Sequence, residues 1–456
     1  MCALARKNHT EDAMMKKLLA CALALLLALP AGALAEAIAL NLAEEDALVT
    51  PEGEVLVPPQ DYMEIYAIGG GFYALGVYET GEDGFLRTRF ALADAQGNAL
   101  TQALYSSLEC RDGVIYYEID GHFGAMDAQC NPLVPCEYTR LIGDGQGDFL
   151  GFLALRTDPW DTTMDAVYAL KASGDERETD ISVIDLGESF SEGRIPALSS
   201  QTEAYGYLNA QGEWAIAPNF LYAGAFSDGM ACAATQEGMG LIDGSGAWLL
   251  EPRFDVVEYG NGSLITTTVY GEGVYLYDAA TRQQIASFPG AEVYAAHYGD
   301  YAVVYLPEEV RLVGADGGTL LSLAPGASVT VGENRAVVST GEYGEQSVYL
   351  YDFAGKAVAG PFQALTSAGL HGGRECFIVD AFSVVEVDTG GVDSYITWDP
   401  SQIRSGLVDE DGNTLLPCEY EVLYGVGENR FFARQGLSEG MIDASGNWIV
   451  RFEMDS

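Results

Sequence analysis

The stretch that repeats most clearly reads YGYLNAQGEW over residues 205–214. It returns as MGLIDGSGAW over residues 239–248, after a step of 34 residues. Near the C-terminus, GLVDEDGN over residues 406–413 returns as GMIDASGN over residues 440–447, again after 34 residues. Recurrence at a fixed step of this length indicates a tandem repeat architecture, in which each copy is one small structural unit.

Each copy predicts a β-hairpin. Gly240 to Asp243 reads as a strand, the Asp243 carboxylate can cap the turn, and Gly246 can adopt the left-handed conformation that closes a short loop. Trp248 opens the return strand, and Pro252 is expected to end it, because proline cannot donate to a β-ladder. The residues assigned to structural turns by this pattern are Gly206, Gly212, Gly240, Asp243, Gly246, Gly406, Gly412, Gly440, Asp443 and Gly446.

Weaker copies of the unit extend across the chain. The sequence FSEG at residues 190–193 recurs as FSDG at 226–229, and GENR at 332–335 recurs at 427–430. Together with the hairpins, they predict about eleven copies of roughly 34 to 38 residues, each with four short strands.

Four short strands per copy predict an all-β fold of tandem four-stranded repeats, arranged like a β-propeller. A single copy cannot bury its own apolar face, so neighbouring copies must pack on each other. Eleven copies exceed the roughly four to eight blades of most propellers. One large ring and two smaller rings are therefore both open, with the irregular stretch 157–180 as the candidate internal boundary. An open β-solenoid is the alternative.

The pattern Gly-aromatic-aliphatic-Asp-x-x-Gly-x-Trp, followed by Pro and then Phe-Ser-x-Gly, resembles the WG-repeat (KWG) proteins of bacteria. The match is good over residues 190–255 and 405–452 and recognisable over 89–138. The resemblance implies a repetitive β-structure, commonly exported or surface-associated. It implies no catalytic residues.

The N-terminus predicts a secretory signal peptide over residues 1–35. Lys16 and Lys17 precede an apolar stretch from Leu18 to Leu29, and Ala33 to Ala35 form a small-residue cleavage site. The apolar stretch is too short for a membrane-spanning helix, which needs about 20 residues. Cleavage after Ala35 leaves a repeat region over 36–456, and residues 1–13 form a doubtful extension. We expect a secreted or cell-surface protein; a lipoprotein modified at Cys21 is the competing interpretation.

The composition is strongly acidic. The sequence holds 67 acidic and 22 basic residues, with a formal net charge of −45 at pH 7. Such a chain repels phosphate backbones, so no nucleic-acid partner is expected. Anionic membranes and anionic wall polymers are disfavoured for the same reason. No transmembrane segment is predicted after the signal, and we expect a monomer.

Catalytic chemistry is not predicted. After the signal only His122, His297 and His371 remain, each isolated, and no His-x-x-x-His pair is present for zinc. The acidic run 409–413 invites a calcium interpretation, but its glycine falls where every other copy of the turn has one, so a hairpin turn is favoured. Neither an enzyme, a cofactor nor a metal site is therefore expected.

The function predicted from these features is an exported, non-catalytic binding or scaffold platform for an unknown protein or glycan. The first alternative is a cell-wall or carbohydrate-binding module that uses the turn tryptophans Trp214, Trp248 and Trp448 as ligand-binding residues. A propeller glycoside hydrolase is the less favoured alternative, because carboxylates are so numerous that close pairs arise by chance.

Overall fold

The computed structural model describes residues 36–454, except residues 44, 82–83, 155–164, 291, 342–345, 383, 389–393 and 399–401. The predicted signal, residues 1–35, lies outside this range. The described chain forms 43 β-strands and no α-helix, and every paired strand is antiparallel to its neighbour. The all-β prediction is confirmed.

The first three units run from residue 38 to residue 138, and units 1 and 2 are three-stranded sheets. In unit 2 the fourth strand is reduced to two isolated bridges, Phe90 with Tyr105 and Ala93 with Ala99. The strands of units 1 to 3 are β1 Ile38–Leu40, β2 Ala47–Val49, β3 Val55–Val57, β4 Glu64–Gly69, β5 Phe72–Thr80, β6 Leu86–Ala93, β7 Ser107–Arg111, β8 Val114–Ile119, β9 His122–Met126 and β10 Pro132–Tyr138.

Units 4 and 5 share one seven-stranded sheet because the long strand β14 serves both units. Its N-terminal part pairs with β13, and Val183 to Leu186 pair with β15. The predicted boundary at 157–180 falls on undescribed residues and on β13 and β14, and it stays a prediction. The strands are β11 Arg140–Gly143, β12 Asp148–Ala154, β13 Asp165–Lys171, β14 Glu176–Leu186, β15 Ile195–Ser199, β16 Tyr205–Leu208 and β17 Trp214–Phe220.

Units 6 to 9 are regular four-stranded sheets in chain order. Their strands are β18 Tyr222–Ala223, β19 Met230–Thr235, β20 Gly238–Asp243, β21 Trp248–Phe254, β22 Val256–Glu258, β23 Leu264–Val269, β24 Gly273–Asp278, β25 Gln284–Pro289, β26 Tyr294–Tyr298, β27 Tyr301–Tyr305, β28 Val310–Val313, β29 Thr319–Leu323, β30 Ser328–Val331, β31 Ala336–Thr340, β32 Ser347–Tyr351 and β33 Ala357–Phe362.

Units 10 and 11 are also four-stranded, and unit 10 carries an extra hairpin, β36–β37, between its second and third strands. The strands are β34 Ala364–His371, β35 Arg374–Ala381, β36 Val384–Asp388, β37 Ser394–Trp398, β38 Arg404–Asp409, β39 Thr414–Tyr420, β40 Val422–Gly427, β41 Arg430–Gln435, β42 Ser438–Asp443 and β43 Trp448–Glu453.

Apolar clusters join each unit to the next. Tyr207 and Ile216 of unit 5, for example, pack against Ala231 and Ile242 of unit 6. Because each side of a sheet is apolar and must be covered, every interface is a small core of its own. The core is thus divided into pieces that follow one another along the chain.

The last interface returns to the first unit. Leu40 and Val49 of unit 1 pack on Phe432 and Met441 of unit 11. Across the same interface, the backbone N–H of Ala43 donates to a Glu439 carboxylate oxygen at 2.8 Å. The described residues therefore form one closed ring of eleven units, in which neither an open solenoid nor two separate rings is found.

A repeated arginine contact supports this closure. In unit 9, Arg335 Nε donates to the Glu410 carbonyl in the turn between the third and fourth strands of unit 10, at 2.8 Å. In unit 11, Arg430 Nε donates to the Pro51 carbonyl of unit 1, also at 2.8 Å. Both arginines come from the repeated GENR sequence. The closing interface therefore uses the same contact as an internal one.

Pro252 does not end its strand, and this prediction was wrong. Strand β21 continues through Pro252 to Phe254. The pairing register between β20 and β21 shifts here, since Met239 pairs with Phe254 and Leu241 with Leu250. The extra residues form a bulge, where a proline needs no ladder hydrogen bond.

Candidate functional site

The first strands of the units lie where the sheets converge. Those of neighbouring units contact each other, as β4 contacts β7 and β34 contacts β40. In a closed ring of sheets, the edge at which neighbours converge is the inner edge. The first strands therefore line the centre of the ring.

A cavity of about 650 Å³ opens between the first strands of units 2, 3 and 4. This volume lies within the usual range of small-molecule sites, about 300 to 1,000 Å³. None of its lining residues is a histidine or a cysteine. They are Tyr66, Ala67, Ile68, Ser107, Leu108, Glu109, Arg111, Tyr116, Tyr117, Phe123, Arg140, Leu141, Ile142 and Glu188.

Tyrosine rings form the apolar part of the cavity wall. Tyr66 packs edge-on against Phe90 with ring centroids 5.1 Å apart, and Tyr117 packs on Tyr105 at 5.2 Å. Burial raises the pKa of Tyr66 and Tyr117, and it raises the pKa of Tyr116 to about 12. These hydroxyls stay protonated at neutral pH, so they can act as hydrogen-bond donors.

Charged groups stand beside this wall. Arg111 Nη2 donates to Glu109 Oε2 at 2.7 Å, and both side chains are about half exposed. The Glu109 carboxylate raises the pKa of Arg111, with Glu188 contributing at longer range. Arg140 Nη2 donates to the Gly187 carbonyl at 3.1 Å. The cavity therefore offers guanidinium donors and carboxylate acceptors next to aromatic rings, an arrangement that can bind a polar ligand and orient it.

The turn tryptophans lie outside this cavity. Trp214, Trp248 and Trp448 are half-buried against the clusters that join neighbouring units. Trp248 packs edge-on against Phe220 at 5.8 Å, and the Arg451 guanidinium lies 5.7 Å above Trp448. Trp214 and Trp248 belong to adjacent units 5 and 6, whereas Trp448 belongs to unit 11, across the ring.

The predicted turn residues serve two geometric purposes. Asp243 Oδ1 accepts hydrogen bonds from the N–H groups of Ser245 and Ala247 at 2.8 and 3.0 Å. Gly246 has φ +85°, and a Cβ there would lie 2.8 Å from Ile216 of the preceding unit. Left-handed φ values also occur at Gly212, Gly412 and Gly446, and the Asp443 carboxylate accepts the equivalent hydrogen bonds.

The other predicted glycines permit close approach of two strands. A Cβ on Gly240 would lie 2.4 Å from the Leu250 carbonyl oxygen on the bulged return strand. The same kind of overlap, at 2.4 to 2.7 Å from a carbonyl oxygen, would arise at Gly206, Gly406 and Gly440.

The acidic run 409–413 forms a hairpin turn tied to arginines. Asp409 Oδ1 accepts from the N–H groups of Asp411 and Asn413 at 3.0 and 2.8 Å. Arg335 Nη2 lies 3.1 Å from Asp411, and Arg374 Nη1 lies 3.3 Å from Asp409. Across the part of the chain that is described, no group of three His, Cys, Asp or Glu residues is placed to hold a metal ion.

The sequence contains one Gly-x-Ser-x-Gly spacing, a motif that is typical of hydrolases. It reads GLSEG over residues 436–440. A hydrolase nucleophile needs this spacing on a sharp strand-to-helix turn. Here Gly436 and Leu437 form the turn between β41 and β42, Ser438 begins β42, and the buried Ser438 hydroxyl donates to Glu453 at 3.2 Å.

The cavity residues themselves were missed from the sequence. No sequence motif includes Glu109, Arg111 or Arg140. The only available signal was that two arginines, in a chain with few basic residues, fall on the first strands of two successive units. That signal cannot be used until the first strands are known to converge.

The WG containing repeat family matches the chain over residues 205–235 and 406–436. The predicted resemblance is confirmed in these two segments, which cover unit 5 to unit 6 and unit 10 to unit 11. No curated protein sequence matches the chain.

Several solved structures are similar to the chain at low sequence identity. BamB from Moraxella catarrhalis is 13% identical, over 59% of this chain and 87% of that chain, with a TM-score of 0.29. The dihydro-heme d1 dehydrogenase NirN is 15% identical, over 64% and 72%, with a TM-score of 0.28. AztD from Citrobacter koseri is 12% identical, over 71% and 93%, with a TM-score of 0.28. At such TM-scores the fold description rests on the strand pairing alone.

Among the described residues, no helix is long and apolar enough to cross a membrane.

Proposed function

We propose that this chain, which carries WG containing repeats at residues 205–235 and 406–436, is an exported and non-catalytic binding or scaffold protein. Its partner is a protein or a glycan outside the cytoplasm. The chain acts there as a monomer, and its ring of repeats presents binding groups on a rigid frame.

The observation that carries the proposal is the cavity between units 2, 3 and 4. Binding sites are concave, largely apolar and supplied with a few placed polar groups. The aromatic rings and the Glu109–Arg111 pair meet this description.

A non-catalytic role agrees with the chemistry of the same cavity. Glycoside hydrolysis needs two carboxyl groups, one acting as acid and the other as base or nucleophile. Glu109 accepts a hydrogen bond from Arg111 at 2.7 Å, so this carboxylate is held in an ion pair. We expect no turnover on a panel of chromogenic glycosides; a release of chromophore that depends on Glu109 would contradict the non-catalytic assignment.

Export is supported by the Lys16-Lys17 and Leu18–Leu29 pattern at the N-terminus. N-terminal sequencing of protein recovered from the medium or the cell surface should begin at Glu36. Recovery of the chain only inside the cell, with residues 1–35 intact, would contradict this assignment.

The binding test is capture of partners from cell-envelope extract by the immobilised 36–456 chain. Two variants form a matched pair: Arg111→Gln in the cavity and Arg451→Gln in unit 11. Arg111 and Arg451 are 46% and 49% exposed, and each pairs with a glutamate two positions away.

Wild type and Arg451→Gln should retain the same partner, and Arg111→Gln should lose it. Equal capture by all three proteins would show that the cavity is not the site that binds the partner. Capture of nothing specific by the wild type would contradict the binding role itself.

A further inference from the structure

The two faces of the ring are built from different loops. All strands alternate in direction, so the loops between first and second strands and between third and fourth strands lie on one face. The loops between second and third strands, and the links between units, lie on the other face, which we call the junction face. The aspartate-capped turns such as Asp243–Gly246 belong to the first face.

Three exposed tyrosines follow one another on the junction face. Tyr222 begins the first strand of unit 6, Tyr270 lies between the second and third strands of unit 7, and Tyr294 begins the first strand of unit 8. Their exposed fractions are 45%, 71% and 57%. We call these three residues the tyrosine row.

The hydroxyls of the tyrosine row differ from those of buried tyrosines. Tyr207 donates its hydroxyl hydrogen to the Gly224 carbonyl at 2.8 Å, and Tyr259 donates to the Ala225 carbonyl at 2.7 Å. For the row, the structure records no hydrogen-bond partner of the hydroxyl groups among the described residues. Each row residue therefore presents both a ring face and a free hydroxyl to a ligand.

Neighbouring tyrosines enlarge the row at both ends. Tyr294 stacks on Tyr305, with ring centroids 4.6 Å apart and planes inclined by 12°. Tyr222 lies 6.3 Å from Tyr205. Packed sheets are about 10 Å apart, so Tyr222 and Tyr294, two units apart at the converging edge, are separated by at most about 20 Å. A single extended chain is long enough to contact the whole row.

The net charge of the chain disfavours one class of extended ligand, the anionic polymers. The chain carries a formal charge of −45, which opposes both anionic polymers and the docking of a second copy. Carboxylates flank the row: Asp185 accepts the Tyr205 hydroxyl at 2.6 Å, and Asp255 accepts the Tyr270 backbone N–H at 2.6 Å. Such acceptors can also receive sugar hydroxyl groups.

We infer that the tyrosine row binds a neutral glycan chain, whose apolar sugar faces stack on the three rings. The inference rests on the proposed function as an exported binding protein, and it adds a neutral glycan as a ligand at a second site, away from the cavity and from the turn tryptophans. Tyrosine suits this task because it combines an apolar body with a polar tip.

The test is affinity electrophoresis of the 36–456 chain through gels that contain a soluble neutral polysaccharide: mixed-linkage β-glucan, xyloglucan, galactomannan or dextran. The wild type should be retarded by at least one of them. Each single change Tyr222→Ala, Tyr270→Ala or Tyr294→Ala should weaken binding by roughly threefold to tenfold, and the triple variant should migrate without retardation.

Tyr78→Ala is the matched control, because Tyr78 is 54% exposed but lies in unit 2, outside the row; it should bind like the wild type. No retardation of the wild type in any of the four gels would overturn the inference, and so would equal retardation of the triple variant. Retardation only by anionic polygalacturonate, or binding only to polylysine, would overturn it as well.

The same triple variant separates this inference from the proposed function. If it still captures an envelope partner that Arg111→Gln loses, the binding role stands and the tyrosine row is not its site.

Discussion

Units 5 and 6, residues 195–254, keep the repeat pattern, whereas units 2 to 4, residues 64–186, depart from it. In the regular region, side chains are used to join units: Tyr207 reaches the Gly224 carbonyl, and Trp248 packs on Phe220. In the irregular region, unit 2 loses its regular fourth strand, and a cavity opens at the inner edge, between the first strands of units 2, 3 and 4. Where the pattern is kept, side chains bind neighbouring units together, and where it is lost a cavity lies between the first strands.

Among the substitutions that test this difference between regions, Gly246→Val in the regular region is the most severe. Strain at a left-handed position costs about 1–3 kcal/mol, and the new side chain would also overlap Ile216 of unit 5. We expect the largest loss of stability for this variant, measured as a lower urea midpoint.

Gly229→Val is its control. Gly229 has φ +74° and open space around its Cβ position, so this variant carries the backbone strain without the overlap. Equal urea midpoints for the two variants would show that close packing between units 5 and 6 contributes nothing.

Tyr207→Phe should have a smaller effect. It removes a hydrogen bond from a fully buried ring, which costs about 0.5–1.5 kcal/mol. Tyr117→Phe in the cavity wall should cost less, because the structure gives the Tyr117 hydroxyl no partner among the described residues. Chemical unfolding of both variants measures the difference in their free energies of unfolding. A larger loss of stability for Tyr117→Phe than for Tyr207→Phe would contradict this comparison of the two regions.

The next-largest effect is expected in the irregular region, where raising the pH should reduce stability through the ionisation of Tyr116. Burial raises the pKa of Tyr116 to about 12, above the value near 10 in an unfolded chain. The folded state therefore holds this proton more tightly, so the stabilisation is complete below pH 10 and is lost as the pH rises through about 12. Compared with the wild type, Tyr116→Phe should lack the tyrosinate absorbance that appears near pH 12. If the missing absorbance is instead one that appears near pH 10, the burial of this ring is contradicted.

Arg111→Gln should have the smallest effect on stability. Its ion pair with Glu109 is exposed, and exposed pairs contribute at most about 1 kcal/mol. The urea midpoint should match that of Arg451→Gln, while partner capture differs. A large loss of stability would mean that the cavity pair is structural.

The sequence predicted the repeated units because strand alternation and turn chemistry are local properties. The carboxylate cap at Asp243 and the left-handed turn at Gly246 depend on a few neighbouring residues. The contact of Gly246 with Ile216, the bulge at Pro252 and the gathering of Glu109, Arg111 and Arg140 depend on how distant strands meet. No local pattern specifies those contacts, so the cavity could not be predicted.

Ring closure is tested most directly by distances between spin labels at exposed turn residues. The labels replace Glu52 in unit 1 together with either Ser445 in unit 11 or Ser245 in unit 6, in a background without the six native cysteines that follow the signal. The packing of Leu40 on Phe432 and of Arg430 on Pro51 predicts a shorter distance for Glu52–Ser445 than for Glu52–Ser245. A longer distance for Glu52–Ser445 would contradict the closed ring and indicate an open array of repeats.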